Sequence, residues 1–142
     1  MSNINVETES PIITAQRVED DKRMDFLPKA FGADYLQGER LVFSWLRELS
    51  DDYQGGYWHY YWLSNGAFYM APDITSKLRL VWANNFFDSE MSADAAGIVA
   101  TFYGLNHLTS ITFNEMLVDR YYGLRAYTDQ HPEASLIWHA ID

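Results

Sequence analysis

The side chains best suited to proton transfer or metal binding in this chain are its four histidines, His59, His107, His131 and His139. None falls in a His-Glu-x-x-His run or a comparable ligand spacing, so metal binding has no support in the sequence. A general base must also lie within hydrogen-bond reach of the proton it takes. His59 sits in an aromatic strand, where a hydrogen-bonded core histidine is the better reading, while His131 precedes a proline and His139 belongs to a short last helix. Asp51-Asp52 places two carboxylates side by side. Adjacent residues on a helix end or loop point apart, however, whereas acid–base carboxylates work by facing each other across a substrate. The chain has no cysteine, and therefore no thiolate nucleophile, thiolate metal site or disulfide. It contains neither Gly-x-x-x-x-Gly-Lys-Ser/Thr nor Gly-x-Ser-x-Gly. No catalytic residue, metal or cofactor is expected.

Charge narrows the partners. A formal net charge of −10 disfavours direct nucleic-acid binding, which needs clustered Lys and Arg. An acidic chain can instead imitate DNA, but a duplex presents about one charge per ~1.7 Å of axis. Here Arg17, Lys22, Arg23, Lys29, Arg40, Arg47, Arg120 and Arg125 interrupt the acids, and a solvated acidic surface is the plainer expectation. The N-terminus lacks the basic and apolar regions of a secretory signal, and no apolar run approaches the ~20 residues of a membrane span. The expected location is the cytoplasm, with no membrane partner.

These residues need a scaffold, and residues 51–72 mark it most clearly. The aromatic run over residues 57–63 suits a pleated surface, and Asn65-Gly66 offers the φ > 0 positions of a two-residue type I′ turn. Gly55-Gly56 interrupts the chain before the hairpin and Pro72 stops it afterwards. With Asn65 and Gly66 as the loop, Leu63 faces Phe68, Trp62 faces Tyr69 and Tyr61 faces Met70. One face then carries Tyr57, His59, Tyr61, Leu63, Phe68 and Met70 and packs on the helices. The other carries Trp58, Tyr60, Trp62 and Tyr69. That platform either stacks a ligand or is covered by the N-terminal helix or a partner subunit, and the acid balance favours the cover.

Alternation of Leu78, Leu80 and Trp82 predicts the third strand of a meander over residues 77–84, followed by a loop over 86–90. Helices are expected over residues 18–26, ended by Pro28, and over 39–50, with Leu41, Val42, Trp45, Leu46 and Leu49 in one stripe. Another starts at Ser92 as N-cap, with Gly97 and Gly104 permitting close approach of other elements. A longer one runs from Thr112 to about residue 130, and a short one covers 133–140. Residues 1–16 read as a flexible N-terminal arm. Residues 17–142 read as a single α+β domain, a three-stranded antiparallel β-meander with about four to five helices before and after it.

Several stretches, collinear along the chain, resemble the antirestriction family of plasmids and mobile elements known as ArdB or KlcA. They are Asp25-Phe26-Leu27-Pro28 with Phe31-Gly32, Asp52-Tyr53-Gln54-Gly55-Gly56-Tyr57-Trp58-His59-Tyr60 and Asn65-Gly66-Ala67-Phe68-Tyr69-Met70-Ala71-Pro72. Met91-Ser92-Ala93-Asp94-Ala95-Ala96-Gly97-Ile98, Tyr121-Tyr122-Gly123-Leu124-Arg125-Ala126-Tyr127, His131-Pro132-Glu133 and Ile141-Asp142 extend the likeness. Gly123 departs from it, standing where a larger, often basic helix former is expected, and residues 86–90 fit it loosely.

The resemblance implies relief of type I restriction of incoming DNA by a small protein without catalytic activity or cofactor, acting by binding and not as a DNA mimic. The implied partner is the type I restriction-modification system, met directly or through a host factor, with homodimerisation left open. The candidate partner surface is the approach to the hairpin, Asp52, Tyr53, Gly55, Gly56 and Trp58, together with Asp142. There, side-chain and terminal carboxylates both oppose the dipole of the last helix, which fits an intermolecular use and equally an untethered tail. Two rival readings are an acidic DNA-mimic inhibitor of a DNA-binding enzyme and a small enzyme using His59.

Overall fold

The turn after the aromatic strand sets the register of the whole sheet. In the computed structural model, which describes residues 11–142, the chain runs β1 (Ala15–Arg17), α1 (Arg23–Phe31), α2 (Tyr35–Leu49), β2 (Trp58–Leu63), β3 (Phe68–Pro72), β4 (Leu78–Trp82), β5 (Phe87–Met91), α3 (Ala93–Thr112), α4 (Glu115–Thr128) and α5 (Ala134–Ile141). Leu63 N–H donates to Ala67 O at 2.9 Å and Gly66 N–H to Leu63 O at 2.9 Å, so the loop has the three residues Ser64, Asn65 and Gly66, not two. Gly66 takes φ 89°, the left-handed position that closes such a loop with a bulge. The extra residue slips the expected pairing by one: Trp62 faces Phe68, Tyr61 faces Tyr69 and Tyr60 faces Met70. Because side chains alternate, the slip moves all of β3 to the opposite face relative to β2.

Trp58, Tyr60, Trp62, Phe68 and Met70 therefore share one face, and α1 covers it. Phe26 of α1 stacks on Tyr60 with centroids 4.5 Å apart and meets Trp62 and Phe68 edge-on at 5.0 and 5.6 Å. Each such pair contributes ~0.5–1.5 kcal/mol beyond the area it buries. The aromatic platform is thus interior, under the N-terminal helix. Pro28 lies inside α1 and does not end it. Its missing N–H would have paired with Met24, which is 91% exposed, so water can take the freed carbonyl.

The third strand of the sheet is β1, with Ala15 opposite Leu63 and Arg17 opposite Tyr61. The expected third strand, β4, instead pairs with β5 in a separate two-stranded sheet, and β5 replaces the expected loop over 86–90. The reason lies in α3. It is apolar all round, buried along most of its length, and lies against the edge of β3 that β4 would have needed. A Cβ on Gly97 would collide with the Met70 carbonyl and the Ala71 backbone, and one on Gly104 would stand 2.6 Å from Val42 Cγ2 of α2, so both glycines allow the expected close approach.

Ser92 caps α3 as expected, its Oγ accepting from Ala95 N–H at 3.1 Å. The next helix starts later than predicted. Phe113 adopts φ 54° and ends α3, and Asn114 caps α4 by accepting from Met116 N–H at 2.9 Å. Gly123 of α4 rests on the hairpin turn: a Cβ there would lie 2.7 Å from that of Ala67, and Asn65 Nδ2 donates to Gly123 O at 2.9 Å. A larger residue would push α4 off the turn. Residues 1–10 of the expected arm lie outside the described part. From Pro11 onward the backbone is tied down, with Ile13 N–H donating to Gln130 Oε1 and Thr14 N–H to Ser64 Oγ, both at 2.9 Å. The molecule is a single α+β domain. Among the described residues no helix is long and apolar enough to cross a membrane.

Candidate functional site

The segment from Ser50 to Tyr57 joins α2 to β2 and is latched at both ends. Buried Ser50 caps α2 through its N–H to Leu46 O at 2.9 Å, and its Oγ accepts from Asp52 N–H at 3.3 Å. Asp52 spends one carboxylate oxygen on Arg79 N–H of β4 at 2.9 Å, which ties the loop to the second sheet. Asp52 and the neighbouring Asp51 are both exposed.

Tyr53 and Trp58 point the other way, at 4% and 2% exposure. Trp58 Nε1 donates to the Tyr53 hydroxyl at 2.9 Å and the rings meet edge-on, so each satisfies the other's polar tip inside the core. Gly55 and Gly56 take φ 93° and 123° with no atom within 4 Å of a Cβ position, so backbone conformation and not space requires glycine here. Half-exposed Tyr57 closes the segment under the Arg23 guanidinium, 4.4 Å from the ring centroid; Arg23 also donates to Trp58 O at 2.9 Å.

Asp142 lies elsewhere. The last carbonyls of α5 are occupied, Ala140 O accepting from Asn85 Nδ2 and from the Tyr103 hydroxyl, each at 2.8 Å. Asp142 itself is exposed. Burial, then Tyr121, then the Asp142 charge hold the Tyr103 hydroxyl above its ordinary pKa, with Asn85 pulling against them. Asp52 is anchored at Arg79, near the start of β4, and Asp142 follows the segment held by Asn85 at the β4–β5 turn. The structure therefore holds four of the six candidate residues in one loop, with Trp58 at the first position of the strand that follows, and leaves Asp142 at the far end of the β4–β5 hairpin.

His59 Nε2 stands 3.2 Å from Asp73 Oδ1. The main surface concavities lie elsewhere: about 610 Å³ beside Ile13 and Gln130, about 440 Å³ between Asn106 and Tyr122, and about 270 Å³ between β1 and α1. None of these is lined by His59.

The better-built polar cluster involves His131. Its Nε2 bonds Asp94 Oδ2 at 2.8 Å and its Nδ1 accepts from Glu133 N–H at 3.0 Å, which makes Nε2 the protonated nitrogen. The other Asp94 oxygen accepts from the Tyr69 hydroxyl at 2.8 Å, and the Glu133 carboxylate takes the N–H of Ser92, at 2.9 Å, and its hydroxyl. Burial, followed by the charge of Asp94, raises the Tyr69 pKa far above its ordinary value. With both imidazole nitrogens and the serine proton engaged, the cluster pins the start of α3 to β3 and to the start of α5. The sequence held its members in Asp94 and His131-Pro132-Glu133, but no spacing rule joins residues so far apart.

The model of a family described as "Antirestriction protein" matches residues 51–142. Antirestriction protein KlcA of Escherichia coli is 46% identical over 140 residues, covering 95% of this chain and 99% of that protein. Uncharacterized protein YafX of Escherichia coli strain K12 is 39% identical over 134 residues, covering 92% of this chain and 88% of YafX. A solved structure from work on the KlcA and ArdB proteins superposes with a TM-score of 0.88 at 46% identity, covering 95% of this chain and 99% of its own. That work describes a novel fold and antirestriction activity against Type I DNA restriction systems in vivo but not in vitro.

Proposed function

This chain belongs to the ArdB/KlcA antirestriction family, and on that premise we propose that it relieves type I restriction of incoming DNA in a bacterial cytoplasm by binding, without chemistry of its own. The observation that carries the reading is its end-to-end similarity to proteins described as active in vivo but not in vitro. A DNA mimic competes for the enzyme's DNA site wherever enzyme and inhibitor meet, in a tube as well as in a cell. A route through a host factor needs the cell, and of the two routes it is the favoured one.

Charge agrees with this. The groove between β1 and α1 alternates Lys22 and Lys29 with Glu19 and Asp25, unlike the unbroken line of charge that a duplex presents. The partner surface on this reading is the solvent side of the Ser50–Tyr57 loop: Asp52 with Gly55 and Gly56, shaped from beneath by Tyr53 and Trp58, and Asp142 as a separate contact.

The test is plating of unmodified phage on isogenic strains with and without a type I system, each with and without this gene. Relief of restriction is expected in cells, with none in a purified restriction assay; equal plating with and without the gene overturns the assignment. His59→Ala should relieve restriction as well as the parent chain. Loss of relief with the fold intact would favour an enzyme.

A further inference from the structure

The free edge of β1 is built to accept another strand. Ser64 N–H donates to Thr14 O and Val18 N–H to Tyr60 O, so Thr14, Gln16 and Val18 direct their backbone groups toward β2. In an antiparallel ladder the residues between them point the other way. Ala15 and Arg17 thus present two N–H and two C=O groups to solvent, ~6.8 Å apart along the strand, and no described residue bonds to them. The strand is only three residues long and carries Arg17, but no proline or bulge interrupts its outward backbone groups.

Beside it runs a groove of about 270 Å³, where α1 overhangs the sheet. Trp62 and Phe26 line it with Gln16 and Val18, and along the α1 side Lys22 and Lys29 alternate with Glu19 and Asp25. Arg17 lies on the opposite sheet face, its guanidinium donating to the Tyr61 hydroxyl at 3.1 Å. Among the described residues, Arg17, Lys22 and Lys29 form no ion pair with any carboxylate.

We propose that this edge binds an extended segment of a partner protein in which acidic and apolar residues alternate. The added strand takes the outward groups of Ala15 and Arg17. Its residue opposite Arg17 shares that residue's face, where an acid finds an unpaired guanidinium; its next residue points into the groove, where an apolar side chain meets the half-buried Trp62 below a rim of mixed charge. A second copy of this chain is the weaker occupant, because its own β1, Ala15-Gln16-Arg17, would bring a second arginine and no acid to the edge. The surface includes neither Asp52 nor Asp142, and its test does not depend on restriction relief.

The experiment titrates isotope-labelled full-length chain with the blocked peptide Glu-Val-Glu-Phe-Glu-Val and follows amide shifts and hydrogen exchange. Exchange at Ala15 and Arg17 should slow about tenfold or more at saturation, with little change at Gln16 and Val18, which already pair with β2. Replacing the peptide's glutamates by lysines, or N-methylating the amides that face β1, should weaken binding about tenfold. Arg17→Glu keeps the backbone donor but reverses the charge and should weaken binding by about the same factor; Arg17→Pro, which deletes the outward N–H, should abolish it while β2–β3 protection stays intact. Equal binding of the basic peptide, protection centred elsewhere, preferential binding of oligothymidylate, or no binding at all would overturn the proposal. So would protection of Ala15 and Arg17 that rises with protein concentration in the absence of peptide, because the edge would then belong to a second copy.

Discussion

The two edges of the three-stranded sheet are finished in opposite ways. On the β3 side, Met70 N–H donates to Thr101 Oγ1 at 3.2 Å, Pro72 has no N–H to leave bare, and Gly97 brings α3 onto the strand. On the β1 side the outward groups of Ala15 and Arg17 meet only solvent among the described residues. An exposed edge invites pairing with other chains, and proteins normally cover or charge it. One sheet here carries both solutions: a closed edge that holds the fold and an open one that can take a partner.

Mutations on the closed edge should cost stability, and those on the open edge should not. Gly97→Val should have the largest effect, about 3 kcal/mol or more in urea unfolding, because backbone atoms of Met70 and Ala71 occupy the space a side chain needs. Thr101→Val should cost about 1–3 kcal/mol in the same experiment, since it leaves the Met70 N–H buried without a partner.

A smaller effect is expected at alkaline pH. Tyr60 donates to Glu39 Oε2 at 3.0 Å, and burial, then the charge of Glu39, push its pKa up to about 12; Tyr69 is displaced in the same direction. A tyrosine whose folded pKa is raised contributes its full stability below the unfolded value of ~10 and loses it as pH climbs towards the folded value. Thermal stability should therefore fall between pH ~10 and ~12, and Tyr60→Phe and Tyr69→Phe should each flatten that fall. Arg17→Pro should change unfolding free energy least, within about 1 kcal/mol, because the N–H it removes bonds nothing in the described structure and the side-chain bond it gives up, to the Tyr61 hydroxyl, is exposed.

Much of this architecture was legible in the sequence. The α2 stripe delivers Val42, Leu46 and Leu49 to the core, Ser92 caps α3, and Gly97 and Gly104 mark close approaches. What escaped turns on single residues whose role is tertiary. Asn65-Gly66 fits a two-residue loop as well as a three-residue one, and the choice follows from α4 docking on the turn through Gly123. The β5 strand alternates buried Phe87 and Met91 with exposed Asp88 and Glu90, too short and polar a pattern to separate from a loop. Phe113 reads as a helix-face residue, yet it adopts a left-handed conformation at 80% exposure, which no periodicity reveals. The loop from Ser50 to Tyr57 was visible as a paired-glycine break, but which of its side chains face inward depends on the Tyr53–Trp58 hydrogen bond, formed only once β2 is placed.

The contrast between the edges is most directly tested by amide hydrogen exchange on the full chain without ligand. Met70 should exchange among the slowest residues, Gln16 and Val18 at intermediate rates through their pairing with β2, and Ala15 and Arg17 as fast as exposed backbone. Protection of Ala15 and Arg17 equal to that of Met70 would show that the β1 edge is already covered, and would contradict the account.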